Sequence, residues 1–406
     1  MNDWQTTTVG DCLERISLKG ITSIPTKDYQ KSGNYPIIDQ GKSEIAGWTD
    51  DPDSVVYAPL PLVVFGDHSR TLKFVECPFA RGADGTQLLR PKHGIDPHFF
   101  YFACKAIDLP TRGYNRHFTL LKEKEFSYPI DVAEQSNIAQ VLTQIERAVR
   151  KQDEVLEILQ RTKESAMGEL FSRGHRGEPQ KETEIGSIPE SWATHQIGDD
   201  FSVASGGTPS RTNPDYWDGG EIPWVKTGEV NYSVITSTSE HITKAGLDNS
   251  AAKLLPPGTL LMAMYGQGVT RGKVGILGIE AATNQACAAM IPTTKYVGTK
   301  FLYHYLSNQY EKIRTLAHGG QQQNLNLDIV KNLKVPVPKT VEEQDEIVEV
   351  LDCLDRKITL HARKREVLNQ LFESLLHKLM VGEISVDDLD LSALGSSKEV
   401  GTHGSD

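Results

Sequence analysis

A short basic and aromatic stretch near residue 115 has the side chains with which proteins bind nucleic acids. Residues 111–118 contain two arginines, a tyrosine, a histidine and a glycine, and two lysines follow at positions 122 and 124. Lysine and arginine bind phosphates, and arginine also binds the edge of guanine. The stretch therefore has the composition of a surface that contacts phosphates and base edges. An ordinary polar loop is the alternative.

Motifs for catalysis are missing from the sequence. It contains no GxxxxGK[ST], no GxGxxG after a strand, no HExxH and no GxSxG. Residues 213–216 lack the second proline of the amino-methyltransferase signature, and Asp355-Arg356-Lys357, part of a nuclease-like triplet, lies in a helical pattern. Residues 206–210 favour a turn over a phosphate cradle, because they contain a proline and no helical pattern follows. We therefore expect a non-catalytic chain.

The composition is that of a globular protein with more than one domain. The 406 residues allow two or three domains, each with its own core. No run of about 18 apolar residues occurs and the first residues are not a signal peptide, so we expect a cytoplasmic protein. The five cysteines show no CxxC spacing, which favours reduced, buried thiols and no metal site.

The net charge of -11 argues at first sight against a nucleic-acid partner, because neutralising phosphates requires surplus lysine and arginine. The distribution of the charge weakens this objection. The acidic excess is concentrated in residues 340–406, whereas residues 1–128 and 189–339 are close to neutral. Those two segments can carry local basic faces, so charge alone favours neither class of partner.

A helical pattern occurs twice, in residues 134–171 and again in residues 343–380, about 209 positions later. Each copy opens with Glu-Gln and spaces its apolar residues by three and four, as in a helix with one apolar seam. At about 1.5 Å per residue, such a helix is roughly 50 to 60 Å long and needs a partner of matching length. The pattern predicts long helices over residues 131–175 and 339–382, each partnering the other.

Globular segments precede the two helices. Residues 1–130 predict a mixed α/β module with short strands, and residues 189–338 repeat it at low similarity. The matching segments are Trp4 with Trp192, 9–11 with 197–199, 35–38 with 222–225, Val64-Phe65-Gly66 with Met264-Tyr265-Gly266, 100–102 with 302–304, and 112–122 with 318–326. Residues 176–188 predict a polar linker, and residues 383–406 an acidic, disordered tail.

This order of module, long helix, module and long helix resembles the specificity subunit of type I restriction–modification systems, the HsdS family. The resemblance covers essentially the whole chain. Its most specific segments are 134–139, 343–348, 205–210, 222–228 and 283–287. The first module departs from the usual pattern, because residues 83–87 stand where the second module has Asn284-Gln285-Ala286.

The resemblance implies a fold and a function. It implies α/β (α+β) modules, each a target-recognition domain that reads one half of a split double-stranded DNA site. It also implies that the two long helices pack antiparallel, with pseudo-two-fold symmetry, as a spacer. Two modification (methyltransferase) subunits would dock there and carry the S-adenosylmethionine chemistry, with separate restriction and translocase subunits. This chain would then hold no cofactor, which fits the missing catalytic motifs.

Candidate DNA contacts follow from the polar residues of the loops in each module. In the first module they are Arg70, Arg112, Tyr114, Arg116, His117 and Lys122. In the second they are Arg211, Lys226, Gln267, Thr270, Arg271, Gln321, Gln322, Gln323 and Asn324. Arginine favours guanine edges, glutamine and asparagine favour adenine edges, and lysine mostly binds phosphates. Such residues also cap turns, which is the alternative at each position.

Two other functions are compatible with the sequence. One is a structural coiled-coil adaptor without a DNA role, which DNA binding by the protein, alone or with its partner, would exclude. The other is the recognition subunit of a related system in which a fused methyltransferase–nuclease supplies catalysis. The identity of the co-purifying subunit distinguishes this related system from a type I system.

Overall fold

The computed structural model describes residues 3–82, 85–110, 116–266, 269–316 and 324–389. The chain forms two compact units. Unit 1 comprises residues 1–154 and 362–406, and unit 2 comprises residues 155–361. Each unit therefore contains one globular module together with one part of each long helix. No helix in the described ranges is long and apolar enough to cross a membrane.

Unit 1 contains nine strands in the described residues, in a mixed α/β arrangement. Its elements are β1 (Trp4–Thr8), α1 (Val9–Cys12), β2 (Tyr35–Ile38), β3 (Gly47–Thr49), β4 (Val55–Val56), β5 (Leu62–Gly66), β6 (Leu72–Val75), β7 (Phe79–Arg81), β8 (Thr86–Leu89), α2 (Pro97–Ala106), α3 (Phe118–Glu123), β9 (Glu125–Pro129) and α4 (Val132–Arg173), whose later part belongs to unit 2. The strands form three sheets, ordered β3-β2-β7-β4, β6-β5-β8 and β1-β9.

Unit 2 repeats this arrangement with additions. Its elements are β10 (Gln180–Thr183), β11 (Gly186–Pro189), β12 (Ala193–Gln196), α5 (Ile197–Asp200), β13 (Phe201–Ser205), β14 (Ile222–Val225), β15 (Val234–Ile235), β16 (Glu240–Ile242), α6 (Lys244–Asp248), β17 (Leu260–Ala263), β18 (Val274–Leu277), β19 (Ala282–Thr283), β20 (Cys287–Pro292), α7 (Thr299–Asn308), α8 (Tyr310–Thr315), α9 (Leu327–Asn332), β21 (Lys334–Val337) and α10 (Val341–Met380), whose later part belongs to unit 1. The sheets are β13-β20-β17-β18-β15, β16-β14-β19, β12-β21 and β10-β11.

The sheet topology shows the internal repeat more clearly than the sequence does. In unit 1, β2 pairs antiparallel with β3 and parallel with β7; in unit 2, β14 pairs in the same way with β16 and β19. One pairing predicted from the sequence is wrong, however. The amide nitrogens of Gly66 and Ala263 make equivalent hydrogen bonds, to Thr71 O and Lys273 O, so Gly66 corresponds to Ala263 and not to Gly266.

The α2 helix is held at its start by a cap. The Asp96 side chain accepts hydrogen bonds from the backbone nitrogens of His98 and Phe99, and Pro97 occupies the first helical position. The consecutive residues 99–104 are all buried, because sheet and long-helix residues surround α2 in the unit 1 core.

Each unit packs the beginning of one long helix against the end of the other. In unit 1, Ile138 and Leu142 of α4 share a core with Phe372 and Leu379 of α10. In unit 2, the later residues Met167 and Phe171 of α4 share a core with Ile347 and Leu351 of α10. A second contact in each unit, Asp153 with Arg365 and Lys163 with Asp355, shows that the two helical segments run antiparallel within each unit.

Both helices stop at a glycine in the left-handed region. Gly174, at φ 67°, follows α4, and its amide donates to Leu170 O at 3.1 Å. Gly382, at φ 69°, follows α10, and its amide donates to Leu379 O at 3.3 Å. A non-glycine residue is strained at such a φ, so these two glycines define where the helices end.

Two predictions about connecting segments need correction. Residues 176–188 are more than a polar linker, because β10 and β11 form a hairpin there, closed by Gly186 at φ 109°. Residues 383–389 are ordered, since Ile384 and Leu389 pack against the unit 1 core. Apolar side chains in an otherwise acidic tail explain this difference. The rest of the predicted disordered tail, residues 390–406, lies outside the described residues.

Candidate nucleic-acid interface

Three motif segments of the second module meet at one end of its sheets. The Trp224 indole nitrogen donates to Gly207 O at 3.0 Å. Thr227 Oγ1 lies 3.0 Å from Asn284 Oδ1, and the Thr208 hydroxyl donates to the Gln285 side chain. Residues 205–210, 222–228 and 283–287, which are far apart in the sequence, therefore form one polar surface.

Two glycines allow this close approach. A Cβ at Gly206 would lie 2.0 Å from Thr283 O, and a Cβ at Gly207 would lie 2.3 Å from the backbone of Ala251. Any side chain at either position would collide with backbone. The glycines are therefore required for close packing of chain segments.

Arg211 lies on an aromatic platform beside that surface. Its guanidinium carbon is 3.6 Å from the ring centroid of Trp217 and 4.8 Å from that of Trp224. The Trp217 indole nitrogen donates to Ser210 O at 3.0 Å, which fixes the platform relative to the arginine loop. Stacking leaves the edge of a guanidinium free to donate hydrogen bonds, and the Arg211 side chain is 51% exposed.

Glu240 joins Arg211 to a second cation. Its carboxylate accepts from Arg211 and lies 3.1 Å from the Lys226 ammonium. The hydrogen bond from Arg211, supported by Lys226, holds the pKa of the Glu240 carboxyl below its ordinary value. The Glu229 carboxylate holds the backbone near these residues, because it accepts hydrogen bonds from the amides of Lys226 and Ser239 at 2.7 and 2.8 Å. Both cations are thus held in place on the exposed face.

In the first module the segment that leads into α3 is organised by a buried carboxylate. Asp67 Oδ1 accepts from the backbone nitrogens of His117 and Phe118, both at 2.8 Å. These bonds satisfy amides at the start of α3. Arg116 Nε lies 4.0 Å from Asp67 Oδ2, and the Arg116 side chain is 80% exposed. Arg116 is therefore accessible to a ligand.

The structure contradicts a base contact by His117. Its side chain is 1% exposed, and its Nδ1 lies 3.0 Å from Asp67 O. A ring buried against the backbone cannot reach a DNA base in this conformation. The basic composition of residues 111–118 therefore gave a wrong prediction for His117, whose side chain packs inward.

Arg70 also has a structural partner. Its Nη1 donates to Leu109 O at 2.7 Å, and its own φ is 61°. The guanidinium thus connects the turn after β5 to the segment that leads into residues 111–115. Lys122 remains exposed on α3, with its Nζ 5.2 Å from the ring centroid of Phe118.

The other candidates of the second module differ in exposure. Arg271 is half-buried and its Nη2 lies 3.5 Å from Arg314 O, whereas Asn324 is exposed just before α9. Thr270 is half-buried, and a Cβ at Gly266 would lie 2.9 Å from its side chain. The predicted contacts outside the described residues are Arg112, Tyr114, Gln267, Gln321, Gln322 and Gln323. In the described ranges, no group of three or more histidine, cysteine, aspartate or glutamate side chains could hold a metal ion.

Sequence reasoning missed the residues that position Arg211, namely Trp217, Trp224 and Glu240. It also missed Asp39, which stands at the end of β2 where unit 2 has Lys226 at the end of β14. Asp39 Oδ1 lies 3.5 Å from the ammonium of Lys73, a buried lysine whose pKa is lowered by burial. A repeat alignment that compared charges at matched strand ends would have identified this reversal.

Comparisons with known proteins agree with this architecture. The family model described as "Type I restriction modification DNA specificity domain" matches residues 189–370. The EcoR124I/EcoR124II specificity subunit of Escherichia coli is 22% identical over 347 residues, which cover 82% of each chain. The MjaIX specificity subunit of Methanocaldococcus jannaschii is 29% identical over 199 residues, covering 47% of this chain and 44% of that relative.

Solved structures share the fold. The type I restriction–modification S subunit from M. genitalium has a TM-score of 0.64 at 17% identity, covering 93% of this chain and 96% of that one. A chain from a study of complex assembly in the type I system has a TM-score of 0.52 at 14% identity, covering 94% and 98%. The matched domain and the Escherichia coli relative, which is aligned over 82% of its length, lead to one assignment. Residues 189–370 therefore belong to the type I restriction modification DNA specificity domain family, and the chain as a whole is similar to type I restriction–modification specificity subunits.

Proposed function

We propose that the two modules read the two halves of a bipartite, asymmetric DNA target, and that α4 and α10 set the gap between the halves. The chain itself is non-catalytic in this proposal. It determines which sequence is modified or cut, and partner subunits supply the chemistry. A split site needs two readers on one spacer, and each long helix extends from one unit into the other.

One observation supports independent reading: the two modules share a strand-pairing pattern but expose different polar side chains. The β2 and β14 strands have the same pairing pattern, yet Asp39 follows one and Lys226 follows the other. Arg211 on its tryptophan platform is specific to unit 2, whereas Arg116 beside Asp67 is specific to unit 1. Two readers with different donors and acceptors select different bases.

Partner subunits are expected on the long helices. In unit 2, Ile158 of α4 and Leu360 of α10 are exposed apolar residues. A groove of about 550 Å³ in the same unit is lined by Thr162, Ala166, His175, Glu346, Glu349, Val350, Cys353 and Leu354. Exposed apolar surface of this kind is typical of an interaction site. We propose that two methyltransferase subunits bind the helices and that restriction and translocase subunits join them.

S-adenosylmethionine is expected on those methyltransferase subunits, because this sequence lacks a binding motif for it. The purified chain should therefore neither bind S-adenosylmethionine nor methylate DNA. Equilibrium dialysis with labelled S-adenosylmethionine tests the first point, and a methyl-transfer assay tests the second. Either activity in the pure chain would contradict the assignment of catalysis to a partner.

Half-site mutations test independent reading. Arg116→Ala should weaken recognition of one half-site, and Arg211→Ala should weaken recognition of the other, each by about 5- to 150-fold if the arginine contacts a base. Gln322→Ala should affect the same half-site as Arg211→Ala. The measurement is binding to DNA libraries randomised in one half-site at a time. Relaxation of both half-sites by either arginine change would contradict the proposal.

Arg211→Lys is the matched control for Arg211→Ala. Lysine keeps the positive charge but loses the planar guanidinium that stacks on Trp217 and can bind a base with two hydrogen bonds. If Arg211 contacts only phosphate, the lysine variant should retain most of the affinity. If Arg211 reads a base, both variants should lose selectivity at the same position.

Helix insertions test the spacer. Four residues added after Glu157 lengthen α4 by about 6 Å and displace its seam by only about 40°, so pairing can survive. DNA rises about 3.4 Å per base pair, and the preferred gap should therefore grow by one or two base pairs. An insertion of two residues turns the seam by about 200° and should abolish function. An unchanged gap with the longer insertion would show that these helices do not set it.

A further inference from the structure

Two glutamines occupy equivalent places at the beginning of the long helices. Gln135 lies in the first turns of α4, and Gln344 lies about 209 positions later in α10. Their side chains are 0% and 1% exposed, respectively. A buried amide is costly unless its donors and acceptor are satisfied, so the hydrogen bonds of these two residues need an explanation.

Gln135 connects α4 to two other parts of unit 1. Its Oε1 accepts from the Asp96 backbone nitrogen at 2.7 Å. Its Nε2 donates to Pro129 O at 2.7 Å and to Gly94 O at 3.0 Å. Asp96 is the residue that caps α2, and Pro129 ends β9. One side chain therefore joins the long helix to the start of the module helix and to the last strand of the module.

Gln344 makes the same kind of connection in unit 2. Its Oε1 accepts from the Gly298 backbone nitrogen at 2.9 Å, and its Nε2 donates to Tyr296 O at 2.7 Å. Gly298 is the residue that immediately precedes α7, as Asp96 precedes α2. The two units thus repeat this geometry although their sequences differ around it.

Directional bonds distinguish these residues from ordinary core residues. An apolar side chain at either position would stabilise the core without defining an angle, because the hydrophobic effect is non-directional. Hydrogen bonds weaken steeply when their geometry is distorted. An amide that binds an N–H and one or more carbonyls of the module restrains both the tilt and the rotation of the module on its helix.

We infer that Gln135 and Gln344 are positioning residues that fix each module on its long helix and so sharpen the selection of the gap between half-sites. This inference rests on the proposed function. A module that tilts on its helix moves its reading surface along the DNA, where one base pair is only about 3.4 Å. Small changes of orientation therefore let a wrong gap compete with the correct one.

The test uses the full chain assembled with its modification subunits. Binding is measured on DNA with the preferred gap and with gaps one base pair shorter and longer, while both half-sites stay unchanged. For Gln344→Met, which removes the hydrogen bonds but keeps a long flexible side chain, we expect the discrimination between gaps to fall about tenfold, the scale of one to two hydrogen bonds. Gln135→Met should have the same effect through the other module.

Ile347→Val is the matched control. Ile347 is fully buried on the same helix, one turn beyond Gln344, and the change removes packing without touching the hydrogen bonds. It should reduce stability while leaving the discrimination between gaps unchanged. A second variant, Gln344→Glu, keeps the acceptor for Gly298 N, but its ionised form cannot donate to Tyr296 O. Its discrimination should improve as the pH is lowered and the carboxyl becomes protonated.

The outcomes separate this inference from the proposed function. If the wild-type complex prefers one gap sharply and the glutamine variants keep that preference, the positioning role is wrong. Equal loss of affinity at all gaps in both Gln344→Met and Ile347→Val would likewise assign only a structural role to the glutamine. If the wild-type complex binds all gaps equally, the proposed spacer function fails first, and this inference fails with it.

Discussion

In each unit one helix of the module, α2 in unit 1 and α7 in unit 2, lies beside the long helices. The side chains that meet there are aromatic in unit 1 and charged or polar in unit 2. In unit 1, Phe102 of α2 meets Phe372 of α10, with ring centroids 6.1 Å apart. In unit 2, the corresponding positions, in the repeat alignment, are His304 of α7 and Lys163 of α4. An aromatic pair in one unit is thus replaced by two basic side chains in the other.

In unit 2, carboxylates bind the two basic side chains. His304 is fully buried, and its Nε2 lies 2.9 Å from Asp352 Oδ1. Asp352 also accepts from Lys300 at 2.6 Å, and Asp355 accepts from Lys163 at 2.5 Å. A buried charged group is tolerated only when it is paired and hydrogen-bonded, and each of these groups has such a partner.

Unit 1 places its polar groups at the margin of the aromatic contact. Tyr101 donates to Glu146 at 3.0 Å, and Lys105 forms an ion pair with the same carboxylate. Thr143 and His98 are linked at 3.0 Å, at the positions that correspond to Asp352 and Lys300. The same scaffold therefore accepts an apolar centre or a charged one, and the difference should appear in how each unit responds to mutation and pH.

The largest expected effect is that of removing the aromatic centre of unit 1. Phe102→Ala should destabilise unit 1 by about 3–5 kcal/mol, because it deletes a fully buried ring and leaves a cavity beside Phe372. Urea unfolding combined with hydrogen exchange of peptides from each unit measures this. Loss of protection in α7 as large as that in α2 would contradict the assignment of the effect to unit 1.

A smaller effect is expected from Asp352→Ala in unit 2. The change removes the acceptor of both His304 and Lys300, and a hydrogen bond to a charged group contributes about 1.5–3 kcal/mol. Protection should fall in α7 and in the first half of α10. Asp352→Asn is the control, because an amide oxygen can still accept from His304. Equal loss in the two variants would mean that charge, and not hydrogen bonding, stabilises this contact.

The periodic features of the fold could be predicted from the sequence. The spacing of apolar residues predicted the long helices over 131–175 and 339–382, and the structure has α4 at Val132–Arg173 and α10 at Val341–Met380. The repeat of the modules was also visible in matched strand segments. These features are local or repeated, so a single sequence contains enough information to recognise them.

Partners that are distant in sequence could not be predicted. His117 lies in a basic stretch but packs against Asp67, which is 50 positions away. Arg70 belongs to a turn, and only the folded chain shows that it binds Leu109 O. The Gly66 register was misplaced by three residues, because glycine identity is a weaker guide to correspondence than backbone hydrogen bonding. Burial and pairing depend on the assembled fold, which local composition does not encode.

A pH experiment sharpens the comparison further. Burial lowers the pKa of His304 below its ordinary value of 6.5, against the opposing effect of Asp352 and Asp355. Lys163 and Lys300, the cations facing it from α4 and α7, do not favour protonation either. The unfolded chain therefore takes up a proton near pH 6.5 that the folded unit resists, so this histidine makes unit 2 less stable as the pH falls below about 6.5.

His304→Phe should reduce that acid sensitivity. The variant installs the residue type that unit 1 has at the matched position, and its urea midpoint should change less between pH 7.5 and pH 5.5 than that of the wild type. Some acid sensitivity should remain, because burial also lowers the pKa of His98 in unit 1. The pKa of Asp352 is lowered from 3.8, so its contribution is lost only below this pH window. A variant as acid-sensitive as the wild type would exclude His304 as the cause.

The smallest effect is expected at Lys300, and it distinguishes the centre of the charged contact from its margin. Lys300 is 61% exposed, whereas Lys163 is largely buried, although each forms an ion pair with an aspartate of α10. Exposed ion pairs contribute about 0.2–1 kcal/mol and weaken with salt. Lys300→Met should therefore shift the urea midpoint only slightly, and raising the salt concentration should remove the difference from the wild type. Lys163→Met should cost more and should depend less on salt, because its ammonium is shielded from solvent between the two long helices. If the two variants behaved alike in a salt titration, the charged contact of unit 2 would be a solvated surface cluster, and the contrast with the aromatic contact of unit 1 would lose its energetic meaning.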